Sequence, residues 1–255
     1  MRSKFIKKLL YVFLAIAFWT LVWEAASFLI GNNLKLFLPS PFVVFKALLR
    51  LSQTAAFWQA VLYSLLRIFA GLVAGVISGI VFGLATGKIK IFDILFSPAM
   101  RVIRAVPVVS FIILAFLFVK VDWLPVFISM LMVMPVVWQT VHDKLSNFDN
   151  NTKEMARIFK IKGTKKLLFV VIPTISDEVI SAVINAIGLA WKSGIASEVL
   201  CSPAVSLGKS IITAKNQINF DDVYALTLAV VILSMIFEYL VKYLYKKQIG
   251  RKKYD

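Results

Sequence analysis

The sequence predicts an all-α membrane protein. It has six transmembrane helices, cytoplasmic N and C termini, and a short cytoplasmic helix between helices 4 and 5. Three observations carry this. Of 255 residues, 60% are hydrophobic, and the mean hydropathy is +0.85; soluble domains are nearer half apolar. The apolar residues come in long runs, and about 20 of them cross a bilayer as a helix. Lys and Arg gather in alternate loops, the mark of the cytoplasmic side.

Span one is expected at 9–30, behind Arg2, Lys4, Lys7 and Lys8. Its apolar run has no small-residue cleavage site, so it reads as a retained anchor rather than a signal peptide. Residues 31–56 follow, with an amphipathic helix on the outer surface entered through Pro39-Ser40-Pro41. Span two is expected at 66–86, three at 105–119, four at 123–141, five at 179–200 and six at 223–245. Basic residues lie between two and three (Lys88, Lys90, Arg101, Arg104). They recur between four and five, from Lys144 to Lys166, and after six. Both ends are thereby placed in the cytoplasm. Three regions result: 1–56, an anchor and outer segment; 57–245, the transmembrane core; and 246–255, a basic tail. Trp19, Trp23, Trp58 and Trp123 near span ends are interfacial anchors.

The net charge is +16. In a chain this apolar the charge belongs to cytoplasmic loops facing membrane lipid, and nucleic acid is not an expected partner. Cys201 is the only cysteine, so the chain forms no internal disulfide. His142, the only histidine, has no Cys or acidic cluster at ligand spacing, and no metal site is expected. No nucleophile–base pair or carboxylate dyad is evident, so the chain is not read as an enzyme.

Span two places Gly71, Gly75, Gly79, Gly83 and Gly87 at every fourth position. Small residues let membrane helices approach closely. Spacing of four drifts by about 40° per step on a helix of 3.6 residues per turn. The stripe therefore winds, which suits a central helix crossed by several others rather than one lying along a single neighbour. These glycines read as helix packing.

The loop 142–178 is long enough to suggest function. Asn151 with Glu154 three residues on is a capping-box-like helix start. Lys153, Arg157 and Lys160 form the charged face, with Met155, Ile158 and Phe159 elsewhere. Such a helix either meets a protein partner or lies on anionic lipid.

Span five carries a polar stripe. Ser181, Asn185, Gly188 and Lys192 share a face by the three-and-four rule, and intramembrane ionisable groups point to function. The stripe is a candidate translocation path, with Lys192 attracting an anion. The structural alternative is a pair between Lys192 and an acid such as Glu24. Glu198, nearer the outer end, is a candidate gate or contact residue, or else part of a solvated helix end. Arg67, at the edge of span two, is expected to snorkel to the interface.

The loop from Glu154 resembles the EAA motif of binding-protein-dependent ABC importer permeases. That motif runs Glu-Ala-Ala, three residues, Gly, nine residues, Ile, one residue, Leu-Pro. This chain supplies Glu154, Met155, Ala156, Lys160, Val170, Ile172 and Pro173 in register. Met155 replaces Ala and Lys160 replaces Gly; Gly163 offers a bend three residues later. LPSPFVV at 38–44, Ser64 with Arg67, Pro98 with Arg101, Val106-Pro107 and GLAWKSGIASEV at 188–199 resemble the nitrate, sulfonate and taurine branch. The resemblance implies two ATP-binding cassette subunits contacting Glu154, Met155, Ala156, Lys160, Gly163 and Pro173. It implies a second copy of the permease or a related one, and an external or periplasmic solute-binding protein. The location implied is the bacterial plasma membrane. ATP and Mg would sit on the partner ATPase. This chain has no phosphate loop and binds no cofactor of its own. The implied solute is small and anionic, of nitrate, sulfonate or taurine type; pyrimidine precursors of thiamine are an alternative. A lipid enzyme and a membrane scaffold are the competing classes; the first would need a polar cluster at one interface, which the sequence does not offer, and the second would not need the EAA-spaced loop.

Overall fold

The structure is a computed structural model. It describes residues 2–29, 36–147, 154, 155, 158, 159, 165 and 167–252. The α-helices among these include α1 (Arg2–Leu29), α2 (Pro41–Ser52), α3 (Ala55–Lys88), α4 (Lys90–Ala105), α5 (Val108–Phe116), α6 (Leu124–Ser146), α7 (Ile172–Cys201), α8 (Leu207–Asn216) and α9 (Phe220–Lys252). No strand occurs among the described residues. Five stretches are long and apolar enough to cross a membrane: Leu10–Leu29, Ala55–Lys88, Val121–Ser146, Phe169–Cys201 and Phe220–Tyr243.

The third expected span is corrected. Residues 105–119 are not one helix. α4 ends at Ala105, α5 begins at Val108, and the two are bent by 105°. The cause is Pro107, which has no N–H to continue the ladder and disfavours helical geometry at the residue before it. Val106 is accordingly extended, at φ −78° and ψ 134°. With nine residues, α5 is about 13 Å long, too short to cross alone. The bent pair supplies a sixth crossing only if both arms are counted together.

The chain forms two compact units, residues 1–59 with 210–232, and residues 60–209 with 233–255. In the first, α2 starts at Pro41, whose fixed φ suits the first helical turn. Val44, Ala47 and Ala225 form a small core flanked by Trp23, Leu51 and Tyr224. Arg50 pairs with Asp222. Asn219 caps α9 by accepting the Asp222 N–H at 3.2 Å.

The second unit is organised by one seam. A Cβ built on Gly71, Gly75, Gly79, Gly83 or Gly87 would stand 2.5, 2.7, 2.8, 2.6 or 2.7 Å from the nearest atom, in every case an atom of α6. The contacts advance together, from Val126 opposite Gly71 to Leu145 opposite Gly87, so α3 and α6 run parallel. The expectation that several helices cross the stripe is therefore corrected. A single helix follows it from end to end. A stripe with a repeat longer than 3.6 residues winds, and a partner can wind with it, so drift does not require several neighbours. Buried Ser129 closes the seam at one end, donating to the Ala190 carbonyl of α7 at 3.1 Å. Toward the other end, the Trp138 indole N–H donates to the Thr86 hydroxyl at 2.9 Å. His142 Nδ1 lies 3.1 Å from the same oxygen, and its ring stacks on Trp138.

Candidate functional site

α7 is helical because its apolar residues recur at three and four while Pro173 occupies its opening turn. Its buried side carries Ile175, Ala182, Ala186, Ala190 and Trp191. The opposite side is open. Ser181, Asn185 and Lys192 are exposed, and a Cβ on Gly188 would meet nothing within 4 Å. The structure therefore brings these four sequence-predicted residues onto one open face. Asp177, one turn earlier, is exposed on the same face. At 100° per residue, Asp177 to Lys192 fall within an arc of about 80°.

An open cavity of about 440 Å³ lies against the first half of this face. Its lining includes Thr140 from α6 and Asp177, Glu178, Ser181 and Asn185 from α7. Glu178 is paired with Lys144 of α6, which offsets its charge. Neither Asp177 nor Lys192 has an ion-pair partner among the described residues. The face thus presents one uncompensated carboxylate and one uncompensated ammonium. They stand 15 residues apart, about 22 Å along a helix. Asp177, Glu178 and Thr140 were missed in the sequence. Stepping the polar stripe one turn back from Ser181 reaches Asp177, and that was the available signal.

Glu198 is not at a solvated helix end. It is fully buried. Ser64 of α3 donates its hydroxyl to Glu198 Oε2 at 2.6 Å, and the Gly208 N–H donates to the same oxygen at 3.3 Å. Ser64 also accepts the Leu207 N–H at 2.9 Å. The carboxylate and the hydroxyl therefore satisfy free N–H groups in the first turn of α8. A Cβ on Gly208 would lie 2.4 Å from Glu198, so only glycine permits this approach. The Arg67 guanidinium donates to the Val205 carbonyl at 2.7 Å and to the exposed Asp122 at 3.0 Å.

In the loop before α7, Glu154 and Met155 are helical and exposed. The Phe159 N–H donates to the Met155 carbonyl at 3.0 Å, closing one helical turn. Ile158 and Phe159 are 72% and 71% exposed, a concentration of apolar surface in an otherwise basic loop. Pro173 is exposed at the start of α7. Ala156, Lys160 and Gly163 lie outside the described residues. Among the described residues, no group of His, Cys, Asp and Glu is arranged to hold a metal.

Residues 71–250 match the family described as binding-protein-dependent transport system inner membrane component. That is well over half of the chain. No curated protein matches it.

Proposed function

The chain belongs to the family of binding-protein-dependent transport system inner membrane components, and on that premise we propose that the open face of α7 is its translocation path. The protein is a multi-pass membrane protein and the permease component of an ABC importer. The carrying observation is an exposed polar face, from Asp177 to Lys192, on a spanning helix. Charges in a span face a bundle interior or a water-filled cavity rather than lipid. The face therefore needs a partner across it, which a second copy of the permease or a related subunit provides.

The solute is small and carries an anionic group that Lys192 attracts. Asp177 at the other end of the face favours one that also carries an ammonium, a taurine-type zwitterion. At a separation of about 22 Å, such a molecule meets the two charges in succession. Ser181, Asn185 and Thr140 supply hydrogen bonds between them, replacing the hydration of the solute. A protonated aminopyrimidine is the second reading, and it rests on Asp177 alone.

The turn at Glu154 to Phe159 docks on a cytoplasmic ATPase subunit, with Met155, Ile158 and Phe159 as its apolar contacts. ATP and Mg are held by that partner. The termini are cytoplasmic, the external face receives solute from a binding protein, and the membrane is the bacterial plasma membrane. The test is purification of the tagged chain from its host in mild detergent. The expected result is a co-purifying ATPase with a phosphate loop, and uptake that taurine inhibits more than ethanesulfonate or nitrate. Recovery of intact permease without an ATPase would overturn the coupling assignment. Equal inhibition by ethanesulfonate would remove the role of Asp177.

A further inference from the structure

The bent pair α4–α5 runs antiparallel to α6 and follows most of its length. Asp93 lies 3.7 Å from His142 Nε2. Met100 packs with Met134 and Trp138, and Ile112 and Ala115 pack with Leu124 and Ile128. Arg104 therefore stands between the levels of Met134 and Ile128. That is at least seven residues, about 10 Å, from either end of the span Val121–Ser146. The count of basic residues places Arg104 in a cytoplasmic loop; the structure sets it level with the interior of a span. Its side chain is shorter than the climb to a headgroup, so it cannot snorkel out. Yet it is exposed and makes no ion pair among the described residues. A charge at that depth faces water or protein rather than lipid.

The faces of α4 say which way it turns. Ile91, Ile94, Leu95 and Val102 are exposed and share an arc of about 100°, the lipid side. Phe96, Met100 and Ile103 form the packed side, against α6 and Phe82 of α3. Arg104 lies about 130° from the middle of the apolar arc and about 40° from Met100, on the flank away from Phe96 and Ile103. It is thereby turned to the sector of α6 that α3 leaves free, where Gln139 is half-buried and Asp143 exposed. On α7, Ala190 is level with Ser129 through their hydrogen bond, so Lys192 stands at nearly the same depth as Arg104.

We propose that Arg104 is a specificity-determining residue of the translocation path, binding the anionic group of the solute from the α4 side at the depth where Lys192 acts from α7. A guanidinium matches two oxygens of a sulfonate or carboxylate at once, which an ammonium does not. The assignment to the solute rests on the path proposed above; the need for water at Arg104 does not.

The test is thiol labelling of the complex purified from its host into lipid nanodiscs. The sole native cysteine is removed by Cys201→Ser, and Arg104→Cys, Val102→Cys and Lys192→Cys are each treated with a water-soluble cationic methanethiosulfonate. Arg104→Cys is expected to react about a hundredfold faster than Val102→Cys, at nearly the same depth on the apolar arc. Equally slow reaction would put Arg104 out of reach of water and overturn the proposal. Equally fast reaction would put α4 outside the bilayer and overturn it too. A silent Lys192→Cys beside a reactive Arg104→Cys would count against the α7 path alone. Uptake in the native background is the second readout. Arg104→Gln is expected to lower it about tenfold with assembly unchanged, and Arg104→Lys to recover part of the loss. Wild-type uptake in Arg104→Gln, or equal losses in both with impaired assembly, overturns the role in solute binding. Should Arg104→Cys fail to assemble, this pair decides.

Discussion

Along α3, every glycine of the stripe stands where a methyl group would come within 2.5 to 2.8 Å of α6; on α7, Gly188 has nothing within 4 Å. Both helices carry small residues at helical spacing. In the first the missing side chains let two backbones touch, and dispersion at close range holds the seam. In the second the missing side chain leaves a gap beside Ser181, Asn185 and Lys192. A glycine in a membrane helix thus marks either closest contact or free space. Only what lies opposite distinguishes them. On the function proposed above, the seam stays fixed while the open face is occupied transiently.

Substitutions on the seam should give the largest effects. Gly79→Val drives a branched side chain into the Met134 carbonyl and the Trp138 backbone nitrogen, neither of which can move aside. No assembled permease is expected on size exclusion. Gly79→Ala should assemble but lose about 1–3 kcal/mol, read as a lowered thermal midpoint in detergent. A normal midpoint would mean that α3 and α6 are not in contact as described. Next in size is the loop. Met155→Asp with Phe159→Asp should cut ATPase co-purification about tenfold while the amount of permease in the membrane stays constant. This separates surface meant for a partner from surface meant for the seam.

The open face is expected to answer in transport rather than stability. Lys192→Met should lower uptake about tenfold with assembly unchanged, and uptake at the wild-type rate would remove the anion-attracting role. Asp177→Asn should lower uptake of a zwitterion and spare a simple anion. Gly188→Ala should do least, with stability within about 0.5 kcal/mol of wild type and uptake within about twofold. A large loss there would show that the face is filled by a neighbour, and the contrast between α3 and α7 would collapse.

Much of this was legible before the structure. The apolar runs mark the spans because crossing a bilayer imposes a length. The polar stripe on α7 follows from the angle between successive residues, a property of one helix that needs no knowledge of its neighbours. The helical turn at Glu154 and Met155 has its signal in the capping pattern just upstream. The proline break was readable too, since Val106-Pro107 forbids an unbroken helix, but hydropathy alone runs straight through it. Asp177 was hidden for the opposite reason: its charge placed it outside a span counted by apolar residues, although α7 continues through it.

Tertiary structure alone decided the rest. Sequence marked the glycines as a packing surface and could not say that α6 follows the whole of it. Nor could it bring Ser64 to Glu198, 134 residues away, or pair Arg67 with Asp122 and Val205. Periodicity determines which side chains share a face. What that face meets depends on contacts between distant segments, and there burial rather than composition sets the meaning of a charge.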